Sequence, residues 1–234
     1  MRVEIDGRKL AAAAVAVPVA AVAVLNQYAK RHIVPPEEVP DPYPGDDLLT
    51  DPETTTTTMA IEIDAPREKT WPLLNQLGQD KAGFYSFSMF ERGVHFLIHN
   101  TYTPQERWQH TKVGDWCFFG QQGIGMEVVL HEPGHYWVGL SDTRRPPTQD
   151  GAYAWLPAGT DEFAWTWGFF LEDLPNGRTR LLTRTNAFAK ISEKGKLKAL
   201  IVAGLMWGWS SNVMLTRMLE GIKYTAEGRP FLKL

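Results

Sequence analysis

His131, Glu132 and His135 carry the letters of the HExxH zinc-protease motif. That chemistry needs both histidines on one helical face, with the glutamate as base. Pro133-Gly134 inside the motif is a turn dipeptide that breaks a helix. The segment is therefore read as a hairpin connection between two strands. Glu91, His95 and His99 would share a face of a continuous helix, and a carboxylate with two imidazoles can hold a metal. Gly93 weakens that helix, and no metal site is assigned. Cys117 is the single cysteine, so neither an intrachain disulfide nor a cysteine zinc cage can form. Between Trp116 and Phe118 it reads as a small structural hydrophobe. Asp80 and His110 are the candidate general bases, and Tyr85 the candidate donor to a ligand carbonyl or hydroxyl. Gln109 and Asp115 are further polar candidates. The competing structural reading makes Asp80 a turn cap and puts Gly114-Asp115 in a strand-entry loop.

Nine Trp and eleven Phe are the richest compositional signal. Large aromatics fill cores and also line apolar pockets. Trp165, Trp167 and Phe169 alternate on one expected strand, beside Trp116, Phe118 and Trp137 on others. Met214 and Met218 lie on the apolar face of the expected last helix. With Tyr85, these residues are the candidate lining of an apolar cavity. Period two alone does not say which member of each alternating set points inward.

The elements that must position them follow from periodicity. Met59, Ile61 and Ile63 alternate with polar neighbours in a strand over Thr55 to Asp64. Asp64-Ala65-Pro66 opens a helix with stripe residues Trp71, Leu73, Leu74 and Leu77; Gly78 stops it, and Pro72 predicts a kink or a division. Ser86 to Asn100 reads as a second helical stretch. Gly114 to Phe119, Gly125 to His131 and His135 to Ser141 read as strands. Ala164 to Glu172 and Thr179 to Asn186 form a hairpin around Pro175-Asn176-Gly177. Ser210 to Ala226 is an amphipathic helix, preceded by the apolar stretch 197–209 with Gly204 and Gly208. Strands followed by helices on one face define an α+β arrangement.

Residues 1–32 form a hydrophobic segment. Leu10 to Leu25 is an uncharged run of sixteen residues, slightly short of the roughly 20 that cross a bilayer. An uncleaved membrane anchor over residues 10–29 is favoured over a signal peptide or an Ala-rich helix, because no face is polar. Basic residues flank both ends, so orientation is open. Residues 33–54, rich in Pro and acidic side chains, read as an extended linker, with an ordered arm along the domain as the alternative. Residues 55–228 make the folded domain and 229–234 a tail. A net charge of -3 without a basic stripe argues against nucleic acid.

Three segments carry a resemblance: Pro44 to Leu49 with Ile61-Glu62-Ile63-Asp64-Ala65-Pro66; Thr70 to Ser86; and Met214 to Lys223. Together they resemble the SRPBCC superfamily of START-like and polyketide cyclase/dehydrase-like proteins, in an uncharacterised prokaryotic subgroup. The resemblance implies a helix-grip fold, a curved antiparallel sheet around a long C-terminal helix, with a cavity between them. It implies no universal catalytic residue, and no cofactor is expected. The expected function is binding or carriage of an apolar small molecule such as a lipid, isoprenoid or polyketide-like compound. The alternatives are a cyclase or dehydratase using the same cavity, and a membrane-associated interaction module.

Overall fold

A computed structural model describes residues 23–39, 42–93, 95–197 and 210–232. Six strands form one curved antiparallel sheet: β1 (Thr55–Ile63), β2 (Trp116–Phe118), β3 (Gly125–Glu132), β4 (Tyr136–Asp142), β5 (Thr160–Leu174) and β6 (Arg178–Ile191). Their order is β1-β6-β5-β4-β3-β2. Between β1 and β2, at opposite edges, come α1 (Arg67–Asn75) and the short α2 (Ser88–Gly93). The chain closes with α3 (Ser211–Ala226), which packs on β1 and α1. A helix gripped by an antiparallel sheet in this way fits the helix-grip arrangement.

The β5–β6 hairpin turns on Asn176 and Gly177, whose φ values of 64° and 69° explain the Asn-Gly pair. From there alternation fixes the faces. Phe163, Trp165, Trp167, Phe169 and Leu171 face the main core with α1 and α3. Between them lie Ala164 and Phe170, which face the opposite side and are also buried. The arm explains why both faces are dry. Tyr43 and Leu48 pack on Val138, Phe170 and Leu182, and Leu49 on Leu140 and Ala164.

Polar contacts fasten this arm. Asp46 accepts hydrogen bonds from Arg184 Nε at 2.8 Å, Asn186 Nδ2 at 3.0 Å and the Tyr43 N–H at 2.9 Å. Burial opposes ionisation of Asp46, but these donors prevail and hold its carboxyl below the usual range. Upstream, the Val34 N–H donates to Thr58 O and the Ala60 N–H to His32 O, both at 2.9 Å, so residues 32–34 cover part of the β1 edge. The described residues of 33–54 lie along the sheet as an arm, the alternative to an extended linker, because Tyr43, Leu48 and Leu49 have an apolar face to bury.

The helices differ from expectation too. Pro72 sits inside one continuous helix. The carbonyl it cannot serve is that of Glu68, an exposed residue where water can substitute. The helix expected over Ser86 to Asn100 shrinks to Ser88–Gly93. Asn100 supplies the reason: its Oδ1 accepts the N–H groups of Phe84 and Tyr85, and its Nδ2 donates to Ser86 O and Ser88 Oγ. That side chain holds the segment as a loop. His95 and His99 therefore lie beyond the end of the helix that carries Glu91. The HExxH letters span the β3–β4 turn.

No helix among the described residues is long and apolar enough to cross a membrane. An N-terminal hydrophobic helix is thus not part of the described fold, although residues 23–29 are helical. Most of the proposed anchor (10–22), the apolar stretch from 198 to 209 and the end of the tail (233–234) lie outside the described residues.

Candidate functional site

A cavity of about 410 Å³ lies between the sheet and the first turn of α3. Phe163, Trp165 and Trp167 of β5 and Ala187 and Ala189 of β6 form one wall; Met214 and Leu215 of α3 form the other. Thr55 and Thr57 of β1 and Thr185 of β6 add hydroxyls, and Ser211 and Asn212 stand at the helix start. Its size falls within the range typical of small-molecule pockets.

The aromatic wall is fixed by ring contacts. Trp165 and Trp167 stack with centroids 5.9 Å apart, and Phe119 lies 5.4 Å from Trp165. Phe84 stacks on Trp167 at 6.0 Å. The Trp167 indole N–H is committed, donating to Thr183 Oγ1 at 2.9 Å. Thus Trp167 presents an apolar surface while its polar atom is satisfied elsewhere. Glu53 is the ionisable residue among the described lining residues, and it is exposed.

The nine residues nominated as lining fall into three groups. Trp165, Trp167 and Met214 line this cavity. Tyr85, Trp137, Phe169 and Met218 belong to the main core. Tyr85 is 0% exposed; its hydroxyl donates to Leu73 O at 3.1 Å and accepts from Gln76 Nε2 at 2.7 Å. Burial raises its phenol well above the ordinary value. Trp116 and Phe118 lie on the other side of β2, since it is Cys117 between them that joins the core. The Trp116 indole N–H donates to Thr148 Oγ1 at 3.0 Å. Burial pushes the Cys117 thiol up to about 12, as befits an unreactive packing residue.

Asp80 and His110 are both exposed and stand outside the cavity lining. His110 faces Glu106 at 3.8 Å. Another carboxyl, Glu91, is buried and accepts a hydrogen bond from the Ser86 hydroxyl. Burial raises its pKa, which the Ser86 bond partly offsets. It sits on α2, just after the Tyr85 loop, and outside the lining too.

Thr57, Thr185, Ala187 and Leu215 also line the cavity and were not among the residues expected there. A signal existed for the threonines: Thr57 lies two residues before Met59, and Thr185 six before Ile191, on the same alternating faces. Only the strand register brings them together, pairing Thr57 with Thr185 and Thr185 with Trp167.

Fold and cavity together define a class: an antiparallel sheet that grips its last helix and keeps an apolar space beneath it. No family model matches the chain. No curated protein matches it. Solved structures with a similar arrangement include a hypothetical protein from Helicobacter pylori (13% identical, over 80% of this chain and 98% of that one, TM-score 0.40). Others are norcoclaurine synthase from Thalictrum flavum (11% identical, over 79% and 93%, TM-score 0.37) and the Zhui aromatase/cyclase from Streptomyces sp. R1128 (10% identical, over 74% and 96%, TM-score 0.29). The strand order and the seat of α3 against β1 and α1 define the fold.

Proposed function

We propose that this chain binds and carries an apolar small molecule, of lipid, isoprenoid or polyketide-like character, in the cavity between sheet and α3. The observation that carries this reading is the wall itself: two tryptophans, two phenylalanines, an isoleucine, a methionine and a leucine around the space, with hydroxyl and amide groups as its inner polar atoms. Each 100 Å² of ligand apolar surface removed from water contributes about 2.5 kcal/mol before the costs of association. The SRPBCC resemblance supports the same reading. A cyclase needs an acid or base against its substrate. Among the described lining residues Glu53 alone could serve, and its exposure favours binding over catalysis.

The test uses N-phenyl-1-naphthylamine, a neutral probe that fluoresces in apolar surroundings. The wild-type chain is expected to bind it saturably. Ala187→Trp places an indole in the cavity and is expected to weaken binding by tenfold or more, with the circular dichroism spectrum retained. Unsaturable binding by the wild type, or an undiminished affinity in Ala187→Trp, would count against the cavity as the site.

The uncharged run at 10–25 supports a membrane location for this carrier. Deleting residues 1–22 is expected to move the protein from the membrane pellet to the supernatant after cell fractionation. Full-length protein already in the supernatant would overturn the anchor.

A further inference from the structure

We propose, building on the binding reading, that Thr57 and Thr185 make the cavity selective for a neutral ligand bearing one uncharged oxygen, a hydroxyl or a carbonyl. The two residues are directly opposed across β1 and β6, and Thr185 is in turn opposed to Trp167 on β5. One row across three strands therefore holds two hydroxyls next to a flat apolar face. Both threonines line the cavity. Neither hydroxyl has a hydrogen-bond partner among the described residues. Thr183, two residues from Thr185, is the contrast: its hydroxyl accepts from Trp167 Nε1 and donates to Gly168 O at 3.1 Å.

A hydroxyl donates and accepts, so this pair can meet either an alcohol or a ketone. An apolar molecule without oxygen would cover both hydroxyls and deprive them of water, which costs free energy. A carboxylate meets the opposite problem. Its charge needs a cation or several donors once out of water. The described lining offers no cation, and Glu53 at the rim adds repulsion. The row thus selects against hydrocarbons and against acids, leaving neutral oxygenated molecules.

The test compares naphthalene, 2-naphthol and 2-naphthoate as displacers of bound N-phenyl-1-naphthylamine from the full-length chain. Their ring systems are matched, and at pH 7.5 the naphthol is neutral while the naphthoate is charged. Water retains naphthol better than naphthalene, so a purely apolar cavity ranks naphthalene first. The expected order is naphthol first, displacing at about fivefold lower concentration than naphthalene, with naphthoate last. Thr57→Val/Thr185→Val keeps shape and strand propensity while removing both hydroxyls. It is expected to put naphthalene ahead of naphthol while leaving naphthalene affinity the same or better. Naphthalene ahead of naphthol in the wild type, or naphthoate ahead of both, overturns the selectivity. Should the double variant not fold, the wild-type ranking decides alone. Failure of the probe to bind the wild type at all defeats the underlying carrier reading, a result distinct from a wrong ranking.

Discussion

Gly221→Val is expected to destabilise the protein by about 3 kcal/mol or more, with the midpoint of thermal unfolding lowered by roughly 6–12 °C. Gly221 lies on α3 where the helix crosses the Tyr85 loop. A Cβ there would stand 2.7 Å from the Tyr85 carbonyl oxygen and 3.0 Å from Tyr85 Cβ. Backbone cannot swing aside as a flexible side chain can. The loop is also pinned, since Asn100 Oδ1 accepts the Tyr85 N–H at 2.7 Å and the Tyr85 side chain is anchored to Leu73 and Gln76. Valine adds two methyl groups beyond that Cβ, so either α3 lifts or the loop moves. Intrinsic helix propensity favours valine slightly over glycine in a helix, and that gain is small beside the clash. Because the first turn of α3 lines the cavity, a lifted helix should also weaken probe binding. Calorimetry of the two proteins side by side measures the first effect. An unchanged melting temperature would show that the contact between α3 and the loop is not close-packed.

Glu220→Ala is expected to cost about 1–3 kcal/mol at pH 7. Glu220 sits on α3 and is 7% exposed. Tyr28 donates its hydroxyl to Oε2 and Arg31 donates Nη1 to Oε1, both at 2.8 Å. His32 Nε2 lies 3.7 Å from Oε1. Burial disfavours the charged carboxylate, yet the contacts with His32, Tyr28 and Arg31 outweigh it and bring its pKa down to about 2. The cost is kept modest because Arg31 is largely exposed and water screens its charge.

The pH dependence follows from that depression. A carboxyl whose folded pKa lies below its unfolded value, about 4.3, stabilises the fold fully above the unfolded value. The contribution fades as pH falls from there toward about 2. Urea titrations at pH 7 and pH 2.5 are therefore expected to show a large gap between wild type and Glu220→Ala at the higher pH and a small one at the lower. A gap independent of pH would mean that the carboxylate charge does not hold the N-terminal segment to α3.

The two substitutions sit side by side on α3 and report on its two neighbours. Gly221 governs the fit to the loop between β1 and β2. Glu220 governs the hold on residues 28–32, which then continue into the docked arm. The helix that closes the cavity is thus fixed from both sides, at positions remote from the cavity wall.

Local chemistry was enough to place much of the framework. Alternation at Met59, Ile61 and Ile63, the Asn176-Gly177 turn and the apolar stripe of Ser211–Ala226 are properties of short segments, and each maps onto β1, the β5–β6 hairpin and α3. The HExxH letters were likewise readable as a turn, because Pro-Gly breaks a helix wherever it stands. Facing and register are different. Cys117, rather than Trp116 or Phe118, enters the core because the pairing of β2 with β3 sets which side of a three-residue strand is inward. Tyr85 looked like a ligand donor because a phenol is one, but Leu73 and Gln76 already use it. Thr57 and Thr185 are 128 residues apart in sequence and meet only through the β1–β6 register. By itself the sequence determined the periodic elements and the abundance of aromatic side chains. Tertiary structure alone decided which of those side chains surround a space and which fill one, because that depends on long-range strand pairing and on where α3 is seated.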